Sequence, residues 1–168
     1  FFNLIFMSVA DYLDIDLNAQ NLSVIRNGEV CRRFVVSTAK NGPGEQVGSE
    51  CTPRGWHKIK AKIGVRAPQY TVFSGRRPTG EIYCASLAKA FPERDWILTR
   101  ILWLVGLEPG RNRYGSVDSG WRYIYIHGSP DDLVTETPQS HGCVRMKNHD
   151  VIELFDLALT GERVLIHE

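Results

Sequence analysis

The stretch SHGCVRM, from Ser140 to Met146, carries the strongest signal in this sequence. It places a histidine, a glycine and a cysteine side by side, with an arginine shortly after the cysteine. A cysteine is a strong nucleophile only as a thiolate, and a neighbouring histidine can accept its proton. The glycine lets the backbone approach a ligand closely. The stretch therefore predicts either a nucleophilic cysteine in a turn or a buried cysteine with no chemical role.

A second histidine-glycine pair lies upstream, at the end of an apolar run. His127 and Gly128 follow YIYI, and His127 precedes Cys143 by sixteen residues. A loop of this length can return Cys143 to the end of the strand, where His127 would act as its base. The backbone N–H groups of Gly142 and Cys143 would then form an oxyanion hole. The helix predicted after Cys143 would lower the thiol pKa if its N-terminus lay close.

The residue pattern alone leaves two other interpretations open. Cys143 could be inert core, and His127 a satisfied, half-buried histidine. Alternatively, His127, His141 and Cys143 could bind zinc with an open fourth position, although the sequence offers no good fourth ligand. Cysteine catalysis, a structural cysteine and a zinc site therefore all remain hypotheses at this point.

Most of the chain shows the apolar alternation of β-strands, separated by turn residues. Asn27-Gly28 predicts the turn of an opening hairpin. Helix is predicted within residues 86–119, where 94–106 has near-helical apolar spacing, and in HDVIELFDLAL, with Asn148 as its N-cap. The expected fold is one mostly β (α+β) domain with a helical insertion and a helix after Cys143. The predicted strands are YLDIDL, LSVIR, CRRFVVST, WHKIKAKIG, YTVFSG, the second half of GRRPTGEIY, WRYIYIHGS and RVLIHE.

Composition restricts the classes of function. The 168 residues suffice for one domain with a real core, and a net charge of +1 gives no electrostatic argument for binding nucleic acid or an anionic membrane. The four cysteines lack C-x-x-C spacing, which argues against a zinc ribbon. If Cys143 is a working thiol, the three that remain cannot all pair, which favours a reducing compartment. The apolar N-terminal run has ten residues, too few to cross a bilayer, so no stable membrane insertion is expected.

The N-terminal segment 1–11 is interpreted as a leader or as the remnant of a truncated signal peptide, and 12–168 as the domain. The run FFNLIFMSVA lacks a basic region, and its last three residues loosely fit a cleavage site. We take Met7 as the natural start, which predicts a cytoplasmic protein. A truncated signal peptide would predict a periplasmic one instead.

At these motifs the sequence resembles the YkuD-type L,D-transpeptidase catalytic domains. The resemblance is carried by IHG followed by SHGCVRM, by CTPRGWHKI, and by the opening segment DIDLNAQNLSVIRNGEVCRRFVVSTA. It extends over nearly the whole domain, from about residue 12 to residue 166. It implies a β-sandwich-like fold and a cysteine enzyme that acts on peptidoglycan stem peptides or muropeptides, without a cofactor or metal.

The resemblance also implies a role for each motif residue. Cys143 would attack the carbonyl between meso-diaminopimelate and the terminal D-Ala of a tetrapeptide stem, releasing D-Ala and forming a thioester. His127 would be the base, oriented by the backbone carbonyl of Gly128. The other predicted site residues would support the loop, contact the oxyanion region or bind a substrate carboxylate, and they are Ser140, His141, Arg145, Arg76 and Arg77. For the paired arginines a solvated surface is the favoured interpretation, and recognition of a substrate carboxylate is the functional alternative.

The motif does not decide how the thioester is resolved. Water would make the protein an L,D-carboxypeptidase of peptidoglycan recycling, which we favour. An amine acceptor would make it an L,D-transpeptidase that forms crosslinks or exchanges D-amino acids, and a non-catalytic muropeptide-binding module is a third interpretation. The segment 86–119 is expected to form a lid over Cys143.

Overall fold

The computed structural model describes residues 10–168, which contain ten β-strands and two α-helices. The predicted mostly β (α+β) class is confirmed. The strands are β1 (Tyr12–Asp16), β2 (Asn21–Arg26), β3 (Glu29–Val35), β4 (Gly55–Ile63), β5 (Thr71–Ser74), β6 (Arg77–Ile82), β7 (Ile97–Gly106), β8 (Tyr125–Gly128), β9 (Val144–Met146) and β10 (Arg163–His167). The helices are α1 (Ala85–Ala90) and α2 (Asn148–Leu157).

The strands form one hydrogen-bonded sheet that curls round the main core. Its order is β3-β2-β1-β10-β4-β7-β5-β6, while β8 pairs with β7, and β9 pairs with β8. Just beyond β3, the backbone of Ser37 exchanges two hydrogen bonds with Arg145 of β9, at 3.0 and 2.9 Å. The sheet therefore closes on itself, and its core lies between facing strands of one continuous sheet.

Alternation along β8 and β9 separates the core from the candidate site. Ile126 of β8 and Val144 and Met146 of β9 point into the main core, which α2 also covers. Successive side chains of a strand point to opposite faces. The opposite face therefore presents the residues that alternate with these: Tyr125, His127, Cys143 and Arg145.

The helix predicted over residues 94–106 is wrong, because this segment contains β7. The strand is largely buried and pairs with β4 and β5 along one edge and with β8 along the other. A strand buried on both faces is apolar throughout, so its sequence does not alternate. Since β7 is the centre of the sheet, the prediction that 86–119 forms a lid is also wrong for this strand. Helix in this region is limited to α1 and a single 3₁₀ turn over Gly115–Val117.

The helix after Cys143 is confirmed as α2, but Asn148 is its first residue and not its N-cap. The carboxylate of Asp131 accepts hydrogen bonds from the backbone N–H and the side-chain amide of Asn148, each at 2.9 Å. The same amide donates to the carbonyl of Ser129 at 2.8 Å. The Asn148 side chain therefore fastens the start of α2 to the end of β8.

The predicted leader lies mostly outside the described residues, which begin at Ala10. Ala10 and Asp11 contact the turn between β2 and β3. The carbonyl of Ala10 accepts from the N–H of Gly28 at 3.0 Å, and the Asp11 carboxylate accepts from the N–H of Asn27 at 2.8 Å. In residues 10–168, no helix has the length and apolar character needed to span a membrane.

Candidate active site

The pairing of β8 with β9 brings the two motifs together. The strands run parallel, with His127 opposite Arg145, so Cys143 lies beside Tyr125 at the start of β8. The Cys143 sulfur accepts a hydrogen bond from the N–H of Tyr125 at 3.3 Å, and the thiol donates to the carbonyl of Tyr123 at 3.4 Å. Cys143 and His127 both line one cleft of about 460 Å³, here called the catalytic cleft.

His127 is buried and held in one orientation. Its Nδ1 lies 2.7 Å from the carbonyl oxygen of Gly128. Because a carbonyl can only accept, Nδ1 carries the proton and Nε2 keeps its lone pair. A Cβ at Gly128 would overlap the carbonyl oxygen of Leu98, so only glycine fits here. The carbonyl expected to orient His127 is in place, and the imidazole can accept a proton at Nε2.

Hydrogen bonds on both sides fix the turn that carries Cys143. The Ser140 hydroxyl donates to the carbonyl of Cys143 at 2.6 Å and accepts from the N–H of Gly142 at 3.2 Å. The Thr52 hydroxyl donates to the carbonyl of Gly142 at 2.9 Å. Gly142 has a φ of 132°, and a Cβ there would lie 3.2 Å from the carbonyl oxygen of Cys51. To serve an oxyanion, the Gly142 N–H must exchange its bond to Ser140 for the substrate oxygen.

Asp95, a carboxylate that the sequence analysis did not single out, connects Arg145 with His141. Arg145 Nη2 lies 2.8 Å from one carboxylate oxygen, and His141 Nδ1 lies 3.6 Å from the other. Arg145 is buried and also donates to the carbonyl of Gln139 at 3.4 Å. The His141 side chain is 63% exposed. Arg145 thus supports the loop, and His141 lies at the rim of the catalytic cleft.

Arg76 and Arg77, the adjacent arginines predicted as site residues, lie in different places. Arg76 lines the catalytic cleft, donates to the Tyr125 hydroxyl at 2.9 Å, and lies over the rings of Trp103 and Tyr123 at 4.8 and 4.9 Å. Arg77 is exposed at the start of β6, and the described lining of the cleft does not include it. Only Arg76 of this pair is therefore placed to meet a ligand in the cleft.

The electrostatics of the site favour a neutral thiol beside a neutral imidazole. Burial raises the pKa of Cys143 to about 11, and the N–H of Tyr125 lowers it only in part. Burial also lowers the pKa of His127, against the Gly128 carbonyl and the Asp95 carboxylate, which raise it. The expectation that a helix N-terminus lowers the thiol pKa is wrong, because β9 separates Cys143 from α2 and burial dominates.

The zinc interpretation finds no set of ligands in the described part of the chain. Residues 10–168 contain no group of three or more His, Cys, Asp or Glu side chains that could hold a metal ion. The cysteines are free thiols, and His127 uses one ring nitrogen on a backbone carbonyl. The arrangement instead fits a thiol nucleophile with an oriented base.

Comparison with known proteins agrees with this geometry. The family model of the L,D-transpeptidase catalytic domain, YkuD, matches residues 10–166. The chain belongs to this family. No curated protein matches the chain.

Solved structures of L,D-transpeptidases share the fold. The enzyme from Xylanimonas cellulosilytica has 22% identity and a TM-score of 0.56, and the match covers 95% of this chain and 61% of that one. The enzyme from Mycobacterium smegmatis has 19% identity and a TM-score of 0.57, covering 95% and 59%. The one from Stackebrandtia nassauensis has 17% identity and a TM-score of 0.54, covering 100% and 60%. This L,D-transpeptidase-family chain therefore spans about three fifths of each structure.

The CTPRG motif has a structural role in this L,D-transpeptidase-family domain. The buried Thr52 hydroxyl accepts from the N–H of Ala39 at 3.0 Å and donates to Gly142, so it joins two loops. Gly55 has a φ of 97°, and a Cβ there would collide with the Glu108 carboxylate. Through Thr52, the motif therefore fastens the turn that precedes Cys143 to the loop that contains Ala39.

Among the residues of the catalytic cleft that sequence reasoning missed, three carry polar side chains: Asp95, Tyr123 and Tyr125. Tyr123, Tyr125 and His127 are spaced two residues apart in the predicted strand WRYIYIHGS, so they share one face of it. This spacing was a usable signal for both tyrosines. Asp95 offers no such signal, because it comes from a segment before β7 and meets Arg145 only after folding.

Proposed function

We propose that the chain is a cysteine-dependent peptidoglycan enzyme that cleaves the bond between meso-diaminopimelate and the terminal D-Ala of tetrapeptide stems. The observation that supports this most directly is the oriented His127 in one cleft with Cys143, in a chain of the L,D-transpeptidase family. Arg76 lines the same cleft and offers a cation to a carboxylate of the stem peptide, while Arg145 is paired with Asp95.

Acylation begins with both partners neutral. As the Cys143 sulfur attacks the diaminopimelate carbonyl carbon, its proton passes to Nε2 of His127. The resulting imidazolium is stabilised by the Gly128 carbonyl at Nδ1 and by the charge of Asp95. The imidazolium then protonates the nitrogen of D-Ala, the C–N bond breaks, and a thioester remains on Cys143.

We favour water over an amine as the acceptor of the acyl group. His127, neutral again after acylation, removes a proton from water as it attacks the thioester carbon, and Cys143 leaves and regains the proton. The support comes from a recess of about 160 Å³ that shares His141 with the catalytic cleft. Water can reach the thioester through this recess without being bound, whereas an amine acceptor needs a subsite that holds it. L,D-carboxypeptidase activity is therefore favoured, and exchange with a free D-amino acid is the second candidate.

The free thiols support a reducing compartment as the site of action. Cys31 and Cys84 are exposed, and none of the four cysteines forms a disulfide. Oxidising compartments favour disulfide formation. We therefore favour cytoplasmic turnover of soluble muropeptides over action on the assembled wall in the periplasm. Fractionation of cells that express the native gene tests this, and recovery from the periplasm would contradict it.

Mass spectrometry of the reaction products tests the proposal. A tetrapeptide ending in meso-diaminopimelate–D-Ala is incubated with the protein, with and without excess D-Met, and Cys143→Ala is run in parallel. Loss of D-Ala that D-Met does not alter indicates the carboxypeptidase. A D-Met-containing product indicates exchange, and a crosslinked dimer indicates transpeptidation. An unchanged tetrapeptide, or full activity in Cys143→Ala, would contradict the cysteine mechanism.

A further inference from the structure

A second concave surface adjoins the catalytic cleft and has no role in the proposed chemical steps. Its volume is about 390 Å³, within the range of small-molecule sites, roughly 300–1,000 Å³. It shares Arg76 and Tyr123 with the catalytic cleft, so one ligand can occupy both. We call it the aromatic groove, after the side chains that determine its chemistry: Trp103, Tyr114, Trp121 and Tyr123, with the cations Lys60 and Arg113.

Trp121 presents a flat apolar surface to this groove. The residue is 78% exposed, and its indole makes no ring, cation or hydrogen-bond contact with the described residues. Tyr114 lines the same groove and is 57% exposed. Exposed aromatic surfaces that cluster in a concave site mark binding surfaces.

The backbone at Tyr114 and Trp121 is held in place. Tyr114 has a φ of 69° and a ψ of 160°, a conformation that is otherwise found almost only in glycine. The Asp118 carboxylate accepts from the N–H of Tyr114 at 2.6 Å and from the N–H of Trp121 at 3.0 Å. Backbone strain of this kind persists only where the surroundings enforce it, and it occurs most often at ligand sites. The backbone positions that present Tyr114 and Trp121 to the groove are therefore preorganised.

The cations of the groove are available as hydrogen-bond donors. Lys60 Nζ lies 4.0 Å from the ring centre of Trp103, and the Arg113 guanidinium lies 4.7 Å from that of Tyr114. Neither forms an ion pair with a carboxylate of residues 10–168. Contact with the rings restricts these side chains and places N–H donors among the aromatic side chains of the groove.

Flat rings bordered by donors suit a pyranose sugar. The apolar C–H face of the sugar can stack on an indole, while its hydroxyl and acetamido oxygens accept hydrogen bonds from Lys60 and Arg113. We propose that the aromatic groove binds the N-acetylated amino sugar to which the stem peptide is attached. This inference rests on the proposed function, because it assigns the peptide to the catalytic cleft and the sugar to the adjoining groove.

A binding titration tests the groove without any turnover. Oligomers of N-acetylglucosamine are added to Cys143→Ala while tryptophan fluorescence is recorded. Saturable quenching is expected, and Trp121→Ala in the same background should weaken binding roughly fivefold or more. Phe91→Ala removes an aromatic residue that is 47% exposed outside the groove and serves as the matched control. Absence of saccharide binding, or equal affinity in Trp121→Ala, would overturn the inference.

Kinetics separate this inference from the proposed reaction. The ratio of kcat/KM for a disaccharide-linked tetrapeptide to that for the free tetrapeptide should exceed one, and Trp121→Ala should bring it towards one. If the protein cleaves the free tetrapeptide but the ratio is one both without substitution and in Trp121→Ala, sugar binding by the groove is contradicted. The proposed reaction is then unaffected. A protein that binds the saccharide through Trp121 and cleaves neither substrate would overturn the reaction alone.

Discussion

The Cys143 thiol illustrates how burial decides the resting protonation state of the proposed nucleophile. With a pKa of about 11, it is almost entirely protonated at neutral pH. We expect the rate of its alkylation by iodoacetamide to rise about tenfold per pH unit between pH 7 and pH 9.5, without a plateau. Peptide mapping by mass spectrometry isolates Cys143 from the other cysteines. In urea the same peptide should level off above its ordinary pKa of about 8.5. A plateau below pH 8 in the native protein would instead reveal a preformed thiolate.

Asp95 is expected to act on catalysis through His127 and Arg145. Its negative charge raises the pKa of His127, so Asp95→Asn should lower that pKa further and move the acidic limb of the kcat/KM profile to lower pH. A weaker base and an Arg145 without its carboxylate partner should also reduce kcat/KM about tenfold. The pH profile of tetrapeptide cleavage measures both effects.

The control for Asp95→Asn is Glu81→Gln. Glu81 pairs with Arg94 at 2.9 Å, and neither residue lines the catalytic cleft. Removal of the Glu81 charge should leave the pH dependence of kcat/KM unchanged. If Asp95→Asn also leaves the profile unchanged, the carboxylate has no electrostatic influence on the base.

At the scale of elements, β7 explains the main error of sequence reasoning, because it is a buried central strand. Leu102 lies in β7 with an exposure of 0% and packs in the main core, so Leu102→Ala should lower the free energy of unfolding by about 2–5 kcal/mol. The matched substitution Leu87→Ala in α1, where the leucine is only partly buried, should cost clearly less. Urea unfolding measures both values. Equal losses would contradict a central position for β7.

Strands in which apolar and polar residues alternate were predictable from the sequence. The buried strand β7, which lacks this alternation, was not. WHKIKAKIG places lysines on one face and apolar residues on the other, and it forms β4. ILTRILWLVG is buried on both faces, so its apolar residues fit a helical period as well as a strand. The capping of α2 had no local signal either, because the cap comes from Asp131, seventeen residues before Asn148.

At the scale of the whole molecule, the sequence indicated the proposed catalytic pair and the loop residues beside it, but not the groups that distant segments bring to the site. Cys143, His127 and the orienting carbonyl of Gly128 belong to two short motifs, and the pairing of β8 with β9 brings them together. Asp95 and the aromatic groove depend on contacts between distant segments that only the closed sheet creates. The pKa of the thiol was also beyond the sequence, because burial sets it.

Stability of the whole molecule should fall in acid because His57 is buried as a neutral side chain. Burial lowers its pKa to about 4, while Nε2 lies 2.8 Å from the Ser119 hydroxyl. In the unfolded chain the histidine titrates near pH 6.5, so protonation favours unfolding as the pH falls from 6.5 towards 4. Urea unfolding at pH 7.5 and pH 5 should show that this residue lowers the free energy of unfolding by about 2 kcal/mol.

The acid-induced loss of stability should shrink by that amount in His57→Gln and persist in the exposed control His149→Gln, which has 86% side-chain exposure. Taking the difference between variants cancels the opposing contribution of His167, whose pKa is raised by Asp14 against the effect of burial. An equal loss in His57→Gln would show that another group governs the acid sensitivity of the fold.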